Sequence, residues 1–475
     1  MKVPVPMTRA PFKPALQRAV AHALAHLENL DKLPVCASAL FDELRTRLDR
    51  PLMEEGVDAV TVIDELVRDA ATGILGSAGG RFFGWVIGGS VPAALAADWL
   101  VSAWDQNAAI HACGPAVAVM EEIAGQWLKD LLRLPAHASF AFTTGSQLAH
   151  VTALAAARHA LLARCDWDVE GRGLAGAPPI RILASSERHG SIERAVRLLG
   201  LGIENIIELP ADSQGRLTVD TLATALGATS HVPPIVILQA GDLHIGAFDS
   251  FKELVPLAHR HHAWVHVDGA FGLWANASPK YRYLLEGVEL ADSWTADGHK
   301  WLNVPYDGGY AFVADPGVHR DSISHRTSYT TVVEGARDQI DWNPEWSRRA
   351  RGVATYAAIR QLGRDGIADL IDRTCRHARM LVAGIGDRAG VEIVWTPTIN
   401  QGLVRFLSPK PDATASDHDA RTDEVIARIV KSGEAFFGGT TWRGVRCMRV
   451  SVCNWQTSEA DVERAVAAIQ RALST

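Results

Sequence analysis

The spacing of hydrophobic positions along this chain changes twice. After Pro14, apolar residues recur at Leu16, Val20, Leu24 and Leu27. That spacing predicts an amphipathic helix, the first of several helices joined by loops up to about Gly80. Residues 94–134 keep a helical period that Pro135 stops. The period then shortens. Apolar runs at 139–143, 181–184, 234–239, 263–267 and 310–313 have the length and β-branched character of buried strands, and helical stretches separate them. Such alternation predicts an α/β fold with a mostly parallel sheet flanked by helices. Residues 316–346 are polar and lack an apolar period, which predicts a long mobile loop. A charge-rich helix from about 344 to 363 leads onward. Beyond it, strands at 391–395, 402–407 and 445–452 and helices at 423–431 and 458–473 predict a small α+β unit. Ser458 and Asp461 stand at capping-box spacing before the last helix. The chain thus divides into a helical segment (1–80), a large domain (81–365) and a small C-terminal domain (366–475).

At 475 residues the chain can bury a large core. It is 48% hydrophobic and 21% charged, ordinary for a globular protein. A formal net charge of −7 gives no general attraction to nucleic acid or anionic membranes. Cysteines 36, 113, 165, 375, 447 and 453 form no CxxC pair, which argues against zinc or a disulfide framework and fits a reducing cytoplasm. The N-terminus lacks the apolar core of a signal peptide. No stretch reaches the roughly 18 apolar residues of a membrane span.

The chemistry concentrates in 263–307. A buried strand ends in Asp268, followed by Gly269 and Ala270, and His299-Lys300-Trp301 comes further on. A carboxylate at a strand end can pair with a protonated ring nitrogen, and a lysine amine can bond a carbonyl covalently. Earlier, strand 139–143 runs into Thr144-Gly145-Ser146-Gln147 and a helix rich in alanine and leucine. Small residues before a helix N-terminus make a phosphate cradle. His189 lies between a strand and a helix in SSERHGSIERAVRLLG.

HVDGAF followed by ADSWTADGHKW resembles the pattern HVDAA…DS…HKW of the group II pyridoxal-phosphate-dependent amino-acid decarboxylases. These are fold-type I enzymes and include aromatic-L-amino-acid, histidine and glutamate decarboxylases. The resemblance runs from about Phe82 to Leu473. It implies pyridoxal 5′-phosphate as cofactor, with Lys300 as the Schiff-base lysine and Asp268 as the partner of the pyridine nitrogen. It further implies Ala270 under the ring, His299 beside the phosphate, and His189 stacked on the opposite face near the substrate carboxylate. Gly145, Ser146 and Gln147 fall at phosphate-contacting positions, whereas Leu148 and His150 depart from the Glu and Asn of the family's TSGGTEAN. In LQAGDLHIGAFDSF, Leu243 replaces a threonine that contacts the cofactor, so that contact is lost or comes from Asp242 or His244. Phe82, Phe83 and Trp85 match a stretch bordering the substrate side chain, and could equally be core. SRRAR, residues 347–351, implies structural ion pairs near a dimer interface. Gln339 stands where the family has a loop tyrosine, so Tyr329 is the candidate loop acid. The implied protein is a cytoplasmic homodimer acting on an aromatic or hydrophobic L-amino acid. An aldehyde synthase, an aminotransferase, a glutamate-type decarboxylase and a degenerate binding protein stay open.

Overall fold

A computed structural model describes residues 11–228, 233–325 and 333–474. Seven strands form the central sheet: β1 (Ser139–Thr143), β2 (Ile182–Ser185), β3 (Ile206–Leu209), β4 (Ile235–Gln239), β5 (Trp264–Asp268), β6 (Ser293–Asp297) and β7 (Gly309–Val313). Their order is β1-β7-β6-β5-β4-β2-β3. Neighbours from β3 to β6 pair in parallel, while β7 runs antiparallel to β6 and β1. Every strand except β3 is buried along its length. Burial on both faces explains the continuous apolar runs. The five strands expected in this domain lie within one residue of their observed ends. The sequence reading missed β3, a half-exposed edge strand, and β6, whose Ser-Trp-Thr-Ala-Asp mimics a polar turn although all five residues are buried.

Other expectations need correction. The single helical stretch at 94–134 is two helices, Pro92–Trp104 and Pro115–Leu131. Asp105 ends the first in the left-handed region at φ 50°, and Pro115 opens the second. The helix expected from 344 to 363 begins later, at Arg351; Gly363, at φ 62° and ψ −177°, breaks it two residues before the expected boundary at 365/366, and a second helical stretch continues to Gly386. Ion pairs hold the segment just before it: Arg348 with Glu121, Arg349 with Asp98, and Arg351 with Asp307 and Glu345. The segment expected as a mobile loop contains the helix Pro316–Ile323, and Arg337 lies 4.1 Å from the Phe140 ring centre.

The C-terminal sheet is antiparallel: β8 (Val391–Trp395), β9 (Gln401–Phe406), β10 (Gly438–Trp442) and β11 (Val445–Ser451), in the order β10-β11-β9-β8. Helices Ala415–Ser432 and Glu459–Ser474 join it in one core with Phe406, Ile429, Met448 and Ile469. The first starts well before 423, because Thr414 and Asp417 form a capping box. Near the N-terminus, helix Phe12–Glu28 has no buried residue, and Phe12, Leu16 and Leu24 are exposed. Beyond it, the buried Arg81 donates to the Asp31 and Leu33 carbonyls and to Glu434 O, clipping this segment to the small domain.

Candidate active site

Three parallel strands end together. β1 leads through Thr143 into Gly145 and the helix Ser146–Ala163, β5 ends at Asp268 and β6 at Asp297. The C-terminal edge of a parallel sheet is where α/β proteins bind ligands. A cavity of about 660 Å³ opens there, lined by Ser146, His189, Asp268, Ala270 and Lys300 among others. Gly145, Gln147 and His299 line it too, so the residues the sequence assigned to the cofactor meet in one place. Two glycines make the closure possible. A Cβ on Gly309 would lie 2.3 Å from Gly145 Cα, and one on Gly88 would lie 1.8 Å from the Lys300 carbonyl oxygen.

Asp297, which the sequence reading did not single out, links the parts. Its Oδ1 accepts the Ser146 N–H at 2.6 Å, and its Oδ2 lies 3.1 Å from Lys300 Nζ. A carboxylate at a helix N-terminus is favourably placed. His299 stacks on Tyr306 with ring centres 4.4 Å apart, and its Nδ1 accepts the Gly308 N–H at 3.3 Å. Burial pushes its pKa down, so the ring is neutral with its proton on Nε2. His189 caps the helix Gly190–Leu198 by accepting the Ser191 N–H at Nδ1, 3.1 Å away. Its pKa is also lowered, chiefly by desolvation, so the remaining proton sits on Nε2. Burial raises the proton affinity of Asp268, but His150, His189, Lys300 and the Ala270 N–H outweigh it and hold the carboxyl below its ordinary value.

The cavity suits a phosphorylated pyridine. Ser146 Oγ, at the helix N-terminus, and Gln239 Nε2 are buried on its wall without a hydrogen-bond partner. A carboxylate for a ring nitrogen and an amine for an aldehyde complete the donor set. Gln147 is less free than expected, since its amide donates to Ser191 O at 3.3 Å.

The aromatic trio separates. Trp85 lines the cavity. Phe82 is buried, stacked on Phe436 at 4.6 Å, and Phe83 is buried in the small-domain core, so neither reaches the cavity wall of this chain. Packing against the small domain, which the local sequence does not reveal, decides this. Leu243 lines the cavity and brings no hydroxyl. Neither neighbour replaces it: the Asp242 carboxylate accepts the N–H groups of His244, Ile245 and Ala247, and His244 Nδ1 lies 3.0 Å from Thr440 Oγ1. Gln339 is buried away from the cavity, beside Arg337. Tyr329 lies outside the described residues. Arg194, not anticipated, reaches the cavity wall. A larger hollow of about 890 Å³ lies elsewhere, but its buried Lys129 is tied to the Ala136 and Ala138 carbonyls. Among the described residues no His, Cys, Asp and Glu cluster could hold a metal, and no helix is long and apolar enough to cross a membrane.

Residues 43–408 match the sequence model of the pyridoxal-dependent decarboxylase conserved domain. The chain belongs to the pyridoxal-dependent decarboxylase family. The enzyme is therefore a carboxy-lyase that uses pyridoxal phosphate, as the paired Asp268 and Lys300 implied. It is 27% identical over 453 residues to an aromatic-L-amino-acid decarboxylase of Bacillus atrophaeus, covering 94% of this chain and 92% of that one. It is 28% identical over 386 residues to an L-2,4-diaminobutyrate decarboxylase of Rhizobium meliloti, covering 80% and 75%. The crystal structure of Oryza sativa TDC with PLP and tryptamine superposes with a TM-score of 0.92 at 24% identity over 99% of both chains, and shares the fold-type I architecture.

Proposed function

We propose that this decarboxylase converts an aromatic or other hydrophobic L-amino acid to its amine and carbon dioxide. The supporting observation is that Asp268, Lys300 and His189 open into one cavity whose remaining wall includes Trp85, Val86, Leu243 and Phe271. When bound, pyridoxal phosphate supplies an electron sink for the bond to the departing carboxylate. Lys300 Nζ would hold its aldehyde carbon. Gly145, Ser146 Oγ and the N-terminus of the Ser146–Ala163 helix would hold its phosphate, with Gln147 and His299 beside them. Asp268 would keep a proton on the ring nitrogen, and Ala270 would support one ring face. His189 presents its Nε2–H to the substrate carboxylate from the other face. Lys300 Nζ passes protons to and from the substrate and product amines. Tyr329 is assigned the proton returned to the product carbon, on sequence grounds alone. Residues 1–80 form a dimerisation segment, on the grounds that exposed Phe12, Leu16 and Leu24 form an apolar stripe that a second copy would cover. Residues 81–365 and 366–475 serve as the cofactor-binding and small domains.

The test is carbon dioxide release by the purified, cofactor-loaded protein from each of the twenty amino acids, with products separated as amine, aldehyde or keto acid. Amine from aromatic substrates supports the reading. Aldehyde or keto acid as the main product overturns it, and a preference for acidic substrates would shift attention to Arg194.

A further inference from the structure

A chain of contacts behind the cavity begins at a group that can only donate. Trp264 Nε1–H donates to Ser293 Oγ at 2.9 Å. Ser293 Oγ lies 2.9 Å from His266 Nδ1, and His266 Nε2 lies 2.9 Å from His150 Nδ1. His150 Nε2 is buried without a hydrogen-bond partner, 3.7 Å from Asp268 Oδ2. His150 occupies the place where the family pattern TSGGTEAN has asparagine.

The polarity of this chain follows from its first link. The Ser293 oxygen accepts from the indole, so its hydroxyl proton is available to His266 Nδ1. His266 then carries its own proton on Nε2 and gives it to His150 Nδ1. His150 is left with its proton on Nε2, facing the Asp268 carboxylate. The reverse polarity strands the serine proton and points a bare nitrogen lone pair at a carboxylate. Burial keeps both imidazoles neutral, pushing His266 down to about 3 and lowering His150 against the pull of Asp268. His150 therefore acts on Asp268 as an N–H dipole, in the same direction as a positive charge and more weakly.

We propose that His150 is a positioning residue whose Nε2–H, oriented by the Trp264–Ser293–His266 relay, makes Asp268 the weaker base of the pair it forms with the cofactor's ring nitrogen. The inference rests on the role of Asp268 proposed above. An N–H dipole aimed at an ionised carboxylate from 3.7 Å favours that form electrostatically and leaves the shared proton on the nitrogen.

The experiment uses holoenzyme loaded with pyridoxal phosphate labelled with ¹⁵N in the ring, and reads the nitrogen's protonation by NMR. His150→Leu fills the space without a donor, and His150→Gln restores an N–H. Wild type and His150→Gln should show the protonated resonance. His150→Leu should move toward the unprotonated position and bind the cofactor roughly tenfold more weakly, as losing an outer partner of a metal ligand does. Should His150→Leu not fold, Ser293→Ala tests the same relay from its far end, with a smaller shift in the same direction. Asp268→Asn is the control. If it leaves the resonance in place, the role of Asp268 is wrong and the inference falls with it. If it moves the resonance while His150→Leu and Ser293→Ala do not, only the relay is refuted. A His150→Gln protein that behaves like His150→Leu also refutes it, since packing alone would then explain the residue.

Discussion

Asp268→Asn separates charge from shape at the residue on which the proposed chemistry depends. Asparagine keeps the size of the side chain and an oxygen for the Ala270 N–H, which Asp268 Oδ1 accepts at 3.3 Å. What is lost is one negative charge at a site that is 8% exposed. Two unit charges about 4 Å apart at an effective dielectric of about 20 attract by about 4 kcal/mol. If that attraction holds the ring nitrogen protonated in the transition state, its loss should lower kcat about a thousandfold, within a range of about two to four powers of ten. Cofactor should still attach, because Lys300, Gly145 and Ser146 are untouched. The assay is carbon dioxide release at saturating pyridoxal phosphate, with loading confirmed by visible absorption and folding by a thermal melt. An aspartate with a purely structural role would lose stability and cofactor together, or lose nothing. Near-normal turnover in a loaded Asp268→Asn protein would therefore refute the role assigned to it.

Borohydride should fix the cofactor covalently to Lys300, and Lys300→Ala should abolish that labelling; mass spectrometry finding the label on another lysine would overturn the assignment. Deleting residues 1–75 should give insoluble or unfolded protein, whereas a well-folded monomer on a sizing column would contradict the dimerisation segment. Arg348 and Glu121 form a buried pair at 2.5 and 3.0 Å, so Arg348→Met should cost about 3–5 kcal/mol in urea unfolding, and adding Glu121→Leu should recover most of it. Stability should fall as pH drops below about 6.5: burial holds His266 and His319 near 3 in the folded chain, so the unfolded chain binds their protons first, at up to about 1.4 kcal/mol per pH unit for each. Urea midpoints at pH 7, 6 and 5 check this, and His319→Asn should flatten the slope.

What was legible in the sequence follows from how locally each feature is determined. β4 and β5 were legible because burial on both faces demands unbroken apolar runs. β6 was not, because its serine, threonine and aspartate are buried for reasons supplied elsewhere: Trp264 and His266 reach Ser293, while Ser146 and Lys300 reach Asp297. Asp268 and Lys300 were legible because the motif around them resembles a family pattern. Asp297, three residues before Lys300 in that same motif, was passed over, since its link to Ser146 depends on β1 and β6 ending at one edge on either side of β7. Phe82 and Phe83 could not be separated from Trp85 by local sequence, because a domain more than 300 residues away covers them, with Phe436 and Phe437 as their ring partners.

The placement of Lys300 has its cause in the antiparallel strand. β7 enters the sheet between β1 and β6, and its first residue, Gly309, pairs with Thr143 on one side and Asp297 on the other. Because β7 runs against both, it starts at the edge where they end. The connection 298–308 must therefore turn back over that same edge, with no helix to carry it to the far side as a parallel crossover would require. Lys300 lies in this connection, so it stays over the ends of β1 and β6 beside Asp297 and the Gly145 turn. Gly309 permits the arrangement, since any Cβ there would strike Gly145. The antiparallel entry of one strand thus brings the amine-bearing loop, the phosphate-cradling turn and the linking carboxylate to one point, with Asp268 next to them on the following strand of the sheet.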